Sequence, residues 1–295
     1  MIRENILRPG RFWLFFWMLL LAVVAAADSP RDQGLLWEIS RPGVTPGYLF
    51  GTIHSEDPEV LALAEPVANA YAGSRCVVLE VLLDRDSMVY ASAAMLLSDG
   101  RLLADILGEA LFSKTAAAVQ RRGISEPVLE RMKPWAVAVT LAMPAPQTGI
   151  VLDQSLFRKA QADGKPVFAL ESIQEQLDVF DGLSMEDQVA LVRDTVDRFA
   201  EVDSLHQALL AAWKQRDLAA MQAINDAAMD SADRRLAEAF QRRLLVERNQ
   251  RMAVRLREHL DAGGAFVAVG AMHLPGEQGL LNLLESSGYT VSKIY

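Results

Sequence analysis

The chain has 295 residues, 51% hydrophobic and 23% charged, a globular profile that excludes wholesale disorder and a multi-span membrane protein. Its 29 basic and 38 acidic residues give a formal net charge of −9, and no basic run overrides that balance, so nucleic acid is excluded as a partner. The length suffices for one large domain with a full core.

The first segment reads as an export signal. Arg3, Arg8 and Arg11 precede an apolar run, Phe12 to Ala27, which closes on Ala25-Ala26-Ala27. A basic start, a short apolar run and a small-residue site describe a secretory signal cleaved after Ala27. The run is shorter than the roughly 20 residues a membrane span needs; an uncleaved anchor is the alternative. The expectation is therefore a signal over 1–27 and a single domain over 28–295, periplasmic or secreted. It would touch the membrane only through an uncleaved signal. Removing 1–27 takes away three Arg and one Glu and leaves a net charge of −11. Cys76 is the sole cysteine, so no internal disulfide can form, and its apolar neighbours suggest a small buried side chain.

Strands are expected at Leu35 to Ile39 and Tyr48 to Phe50, joined as a hairpin through a loop rich in Pro and Gly. A helical stretch follows at about 59–72, then a strand at Val77 to Val81. Residues 86–145 carry short amphipathic helices punctuated by Gly100, Gly108, Gly123, Pro127 and Pro134. A helix over 153–163 precedes a strand at Val167 to Leu170, and 184–262 is almost wholly helical with breaks near Asp203 and Asp217. Strands at Phe266 to Val269 and Tyr289 to Ile294 complete the chain. Several apolar runs are continuous, as in strands buried on both faces. The fold class is α/β, with α+β as the alternative: a central parallel or mixed sheet with large helical insertions.

Two segments share one plan. Tyr48-Leu49-Phe50-Gly51-Thr52-Ile53-His54 and Val267-Ala268-Val269-Gly270-Ala271-Met272-His273 are each an apolar strand, a Gly, two residues and a His. Gly51 and Gly270 allow a tight turn or the close approach of a ligand. His54 and His273 can project past the strand ends as metal ligands or general bases, where ligands bind in open α/β sheets. Glu80 and Glu171 each end an apolar run, and a carboxylate placed there needs a partner or a cation. Two imidazoles and a carboxylate suit a divalent ion with open positions for water. Arg248 and Asn249 interrupt the apolar line of a helix over 231–260, where Asn249 would bond within the core or Arg248 would reach an anion in the cleft. Asp153 reads as a helix cap, and His206 and His259 as residues of solvated faces.

These residues lie in stretches that together resemble the TraB/GumN family over about 35–295. The stretches are Leu36-Trp37-Glu38, Leu49 to His54, Val78-Leu79-Glu80, Lys133-Pro134-Trp135-Ala136, Leu152-Asp153-Gln154, Gly164 to Val167, Leu170-Glu171 and Glu175-Gln176-Leu177. The most specific are Glu247-Arg248-Asn249 and Val267 to Gly276. Val151 departs from the Gly-Leu-Asp expected before Asp153, which weakens a role for that Asp. The resemblance implies relation to the Tiki proteins, metal-dependent proteases using paired Gly-x-x-His motifs and a Glu. The wider superfamily includes erythromycin-esterase-like hydrolases and a haem-binding lipoprotein, so fold alone leaves the chemistry open.

The implied function is a metal-dependent, peptidase-like hydrolase of the cell envelope acting on a peptide or small molecule. His54, His273 and Glu80 would bind Mn²⁺, Co²⁺ or Zn²⁺. Glu171 or Glu80 would be the general base, Arg248 would stabilise the oxyanion, and Asn249, Gly51 and Gly270 would contact substrate. The alternatives are a metal-free esterase or amidase, and a non-catalytic protein binding haem or another small ligand.

Overall fold

The computed structural model describes residues 31–229 and 234–295. The expected export signal lies outside them. No helix among the described residues is long and apolar enough to cross a membrane.

Six strands form one mixed sheet: β1 (Leu36–Ser40), β2 (Gly47–Thr52), β3 (Cys76–Leu79), β4 (Val167–Ala169), β5 (Ala265–Gly270) and β6 (Thr290–Lys293). Their order across the sheet is β4-β3-β5-β2-β1-β6. The β1–β2 hairpin is antiparallel, with Leu36 opposite Phe50, and β6 closes the sheet antiparallel to β1. β2, β5, β3 and β4 are mutually parallel. Every expected strand is present, and the fold is α/β. Continuous apolar runs at β3 and β5 make sense here, because both are interior strands and buried almost throughout. Cys76 opens β3 fully buried, and burial raises its thiol pKa.

Because β2, β3, β4 and β5 run the same way, all four end at one edge. His54, Glu80, Glu171 and His273 all follow those ends. An aromatic layer fixes the edge from below. Phe50 of β2 meets Trp213 edge-on at 6.3 Å and Phe266 of β5 at 6.0 Å, and Phe266 meets Tyr71 at 5.6 Å. Trp213 sits in the helix Val202–Lys214, so these contacts dock that helix against the sheet.

A second core is purely helical. Leu103, Val119, Leu129, Trp135, Leu141 and Val192 pack together, supplied by the helices between β3 and β4 and by the helix Met185–Asp197. The expected breaks fall at 198–201 and 215–217. The helix expected over 59–72 is instead two, Pro58–Leu61 and Glu65–Gly73, because Ala62 turns extended and Pro66 fits only a first turn. Just ahead of Arg248, the helical path widens into one π-helical stretch, Arg242–Val246, before the helix Glu247–Asp261. Such widenings are frequent at functional sites; the residues that follow this one, Arg248 and Asn249, are both buried.

Candidate active site

The two Gly-x-x-His segments lie side by side, since β2 pairs with β5 and Thr52 is opposite Gly270. Their glycines serve close approach, neither having a positive φ. A Cβ at Gly51 would stand 2.7 Å from Leu274 Cδ1 and 3.1 Å from Ala271 Cα, so the first motif's glycine is what admits the second motif's loop. Gly51 also donates to Leu35 O at 2.8 Å and accepts from Trp213 Nε1 at 3.0 Å. It therefore faces protein rather than the cleft, contrary to the substrate contact expected of it. A Cβ at Gly270 would come within 3.2 Å of Glu80 Oε1.

A cleft of about 390 Å³ opens at this edge, lined by Thr52, His54, Glu80, Asp153, Gln176, Gly270 and His273 among others. Glu80 is its hub. Its Oε1 accepts the Gly270 amide at 2.5 Å, and its Oε2 accepts Arg248 Nη2 at 2.8 Å and Gln176 Nε2 at 3.3 Å. Burial opposes ionisation of Glu80, but electrostatic interactions with His273 and Arg248, together with the Gly270 amide, outweigh it and hold its pKa below the usual carboxylate value.

His273 is 5% exposed, and its orientation is fixed. Asn249 Nδ2 must face Gln278 O, to which it donates at 2.7 Å, so Asn249 Oδ1 faces His273 Nδ1 at 2.6 Å. Nδ1 therefore carries the hydrogen. That leaves Nε2 turned toward Glu80 Oε1 at 3.5 Å. Burial lowers the His273 pKa, opposed by Glu80 and supported by Arg248. Asn249 acts on the ring from behind and does not line the cleft, again unlike the substrate contact expected.

Glu171 and Arg248 also stand behind the lining. The β3–β4 pairing continues one step past both strands, with Glu171 N donating to Glu80 O at 2.7 Å, which sets the two carboxylates next to each other. Arg248 bridges them, its Nε donating to Glu171 Oε2 at 2.8 Å, while Arg251 Nη2 takes Glu171 Oε1 at 3.0 Å. The Glu171 side chain has no solvent exposure. Neither the expected general base at Glu171 nor the expected oxyanion contact at Arg248 faces the cleft; both groups are committed to each other.

Asp153 was read as a cap, but Val151 holds that position and Asp153 sits inside the first turn of the helix Leu152–Ala162. There it accepts Thr52 Oγ1 at 2.7 Å and lines the cleft. Burial, reinforced by the negative charge of Glu80, pushes its pKa up to about 6 from an ordinary 3.8. The folded chain thus holds this proton more tightly than the unfolded chain does. Its contribution to stability is full below pH 4 and is lost as pH rises through about 6. Urea denaturation of Asp153→Asn beside wild type will show wild type losing ground between pH 4 and 6.5; parallel curves would contradict that origin.

His54 sits at the cleft mouth, exposed, with its pKa lowered by burial of its surroundings against the pull of Glu80. His206 is half-buried and lines a cavity beside His54 rather than a solvated face. His259 is also half-buried, its ring tilted against Phe168 with centroids 4.9 Å apart. Among the described residues, no three His, Cys, Asp or Glu side chains converge as a metal-binding group.

The uncharacterised protein YbaP of Shigella flexneri is 24% identical over 275 residues, covering 90% of this chain and 99% of that protein. YbaP of Escherichia coli K12 matches to the same extent. Metalloprotease TIKI2 of Danio rerio is 26% identical over 325 residues, covering 90% of this chain but 62% of its own length. No solved structure matches. The TraB/PrgY/gumN family matches residues 35–293, from the first strand to the last. This chain belongs to the TraB/PrgY/gumN family.

Proposed function

We propose that this chain is a metal-dependent hydrolase of the peptidase type, acting in the cleft at the carboxyl edge of β2, β3 and β5. One observation carries the reading: His273 Nε2 and Glu80 Oε1 face each other 3.5 Å apart, with Nδ1 turned away from the cleft to Asn249 Oδ1. In this reading the ring is neutral, so Nε2 and Oε1 both offer lone pairs, which a cation between them satisfies. The relative named as a metalloprotease supports the same reading. His54 is the third donor this reading requires, and it is not converged on the pair in this structure.

A divalent ion held there would polarise a carbonyl and make bound water more acidic. The chain's own groups supply the rest. Glu80 stays ionised through Arg248 and the Gly270 amide. Asp153, titrating at about 6, exchanges a proton near neutral pH, which suits it to protonate a leaving amine. Asn249 and Gln278 hold His273 in one tautomer. Hydrolysis balances with water alone: its oxygen joins the carbonyl carbon, the C–N bond breaks, and the amine departs with a proton.

Replacing the orienting amide tests the design. Asn249→Leu is expected to weaken divalent-ion affinity by about 10- to 100-fold, the usual effect of removing such a partner, with the fold retained. Isothermal titration with Mn²⁺, Co²⁺ and Zn²⁺ measures it, and unchanged affinity would speak against the orienting role. A metal-free arrangement, with His273 protonated and paired to Glu80, gives the opposite result: activity that persists after exhaustive chelation. The basic and apolar segment 1–27 supports export to the periplasm or medium, which N-terminal sequencing of the native protein checks.

A further inference from the structure

A second cavity, about 420 Å³, lies beside the cleft, and the two share a single lining residue, His54. The helix Val202–Lys214 walls both. Leu209 faces the first cavity, while His206 and Leu210, one turn apart, face the second. The opposite wall of the second cavity is the segment Met143, Pro144, Ala145, Pro146 and Gln147.

That wall is firmly held. Glu56 accepts from the backbone amides of Thr148 (2.5 Å) and Gln147 (3.1 Å) and from the Thr148 hydroxyl (2.8 Å). The two prolines fix their own φ angles. A preformed wall of this kind lowers the cost of ordering a ligand against it.

The two cavities differ in character. The first is walled by Leu79, Leu83, Leu209, Met221 and Met272 above its charged floor, which suits one bulky apolar side chain. The second combines Pro144, Ala145 and Pro146 with the polar Ser55, His206 and Gln207, which suits an extended backbone that needs both contact and hydrogen bonds. A small ester or a single terminal residue would fill one cavity and leave the other idle. A chain occupying both passes directly over His54.

Resting on the hydrolase reading above, we infer that the second cavity is a substrate subsite and that the substrate is an extended peptide, cut internally beside a bulky apolar residue. The side chain next to the cut sits among Leu209, Met221 and Met272. The peptide continues past His54 along Pro144–Gln147.

The probes are blocked octapeptides with a central Leu or Phe, compared with a blocked Leu amide. Cleavage is read by mass spectrometry, and binding of the same fluorescein-labelled octapeptide to chelated protein by polarisation. Ala145→Trp fills the second cavity from an exposed position, and Gln207→Trp does so from the opposite wall. Each is expected to lower kcat/KM for the octapeptide at least tenfold more than for the amide, and to weaken octapeptide binding by a similar factor. Equal loss on both substrates, or no loss on either, would overturn the subsite while leaving the hydrolase reading intact. Octapeptide binding that both variants weaken, without cleavage under any divalent ion, would sink the hydrolase reading and keep the groove. Neither binding nor cleavage would overturn both.

Discussion

Glu80→Gln is expected to lower kcat/KM for peptide cleavage by about a thousandfold, within the range for removing a group that acts on the reacting atoms. That corresponds to about 4 kcal/mol of lost transition-state stabilisation. The size follows from the position of Glu80 as hub, between Arg248, the Gly270 amide and His273 Nε2. Gln preserves the shape and the Arg248 contact but removes the charge that faces His273. Arg248 retains Glu171, so the fold survives, and a thermal melt within a few degrees of wild type is the control. A variant that keeps more than a tenth of the activity would mean that Glu80 only shapes the edge.

Glu171→Ala is expected to act on stability, at a cost of about 3–5 kcal/mol, the penalty for leaving buried charge without its partner. Glu171 is the shared acceptor of Arg248 and Arg251, and its side chain is wholly shielded from solvent. Removing it leaves Arg248 with Glu80 alone and Arg251 with no carboxylate partner among the described ion pairs. Against a typical total of about 5–15 kcal/mol, such a loss is large. Urea denaturation reads it directly, and Glu171→Gln should fall between wild type and Ala. A loss below about 1 kcal/mol, inside the range of exposed pairs, would remove the structural role and return Glu171 to consideration as a base.

The comparison of these two glutamates shows what the sequence could and could not reveal. Both end apolar strands, and both were expected to face the cleft. Their strands were readable because burial on both faces leaves continuous runs such as Cys76-Val77-Val78-Leu79. The direction of a side chain beyond the strand end depends on what packs over it. For Glu171 that is the helix Glu247–Asp261, whose Arg248, Arg251 and Arg255 recur at helical spacing and meet Glu171 and Glu175. That stripe was present in the sequence, as a row of cations in need of carboxylates, but only tertiary packing pairs it with particular strands.

The site's other surprises have similar causes. Asp153 looked like a cap because an acidic residue at a helix start ordinarily is one; its bond to Thr52 depends on the helix Leu152–Ala162 lying against β2's end. His206 looked solvated within a charged stretch, yet the docking of Trp213 and Leu210 in the same helix turns it toward His54. The paired Gly-x-x-His plan was readable because it is local, and the pairing of β2 with β5 accounts for the repeat. Each motif places its Gly where another segment approaches and its His at the edge.

The proposal rests on a cation between His273 and Glu80, and metal content tests it most directly. Purified protein, incubated with Mn²⁺, Co²⁺ or Zn²⁺ and then desalted, is analysed for elements beside His54→Ala, Glu80→Gln and His273→Ala. The expected result is close to one ion per chain in wild type and near none in Glu80→Gln and His273→Ala, with reduced retention in His54→Ala. Equal metal in all four proteins, or none in wild type with any of the three ions, would contradict it.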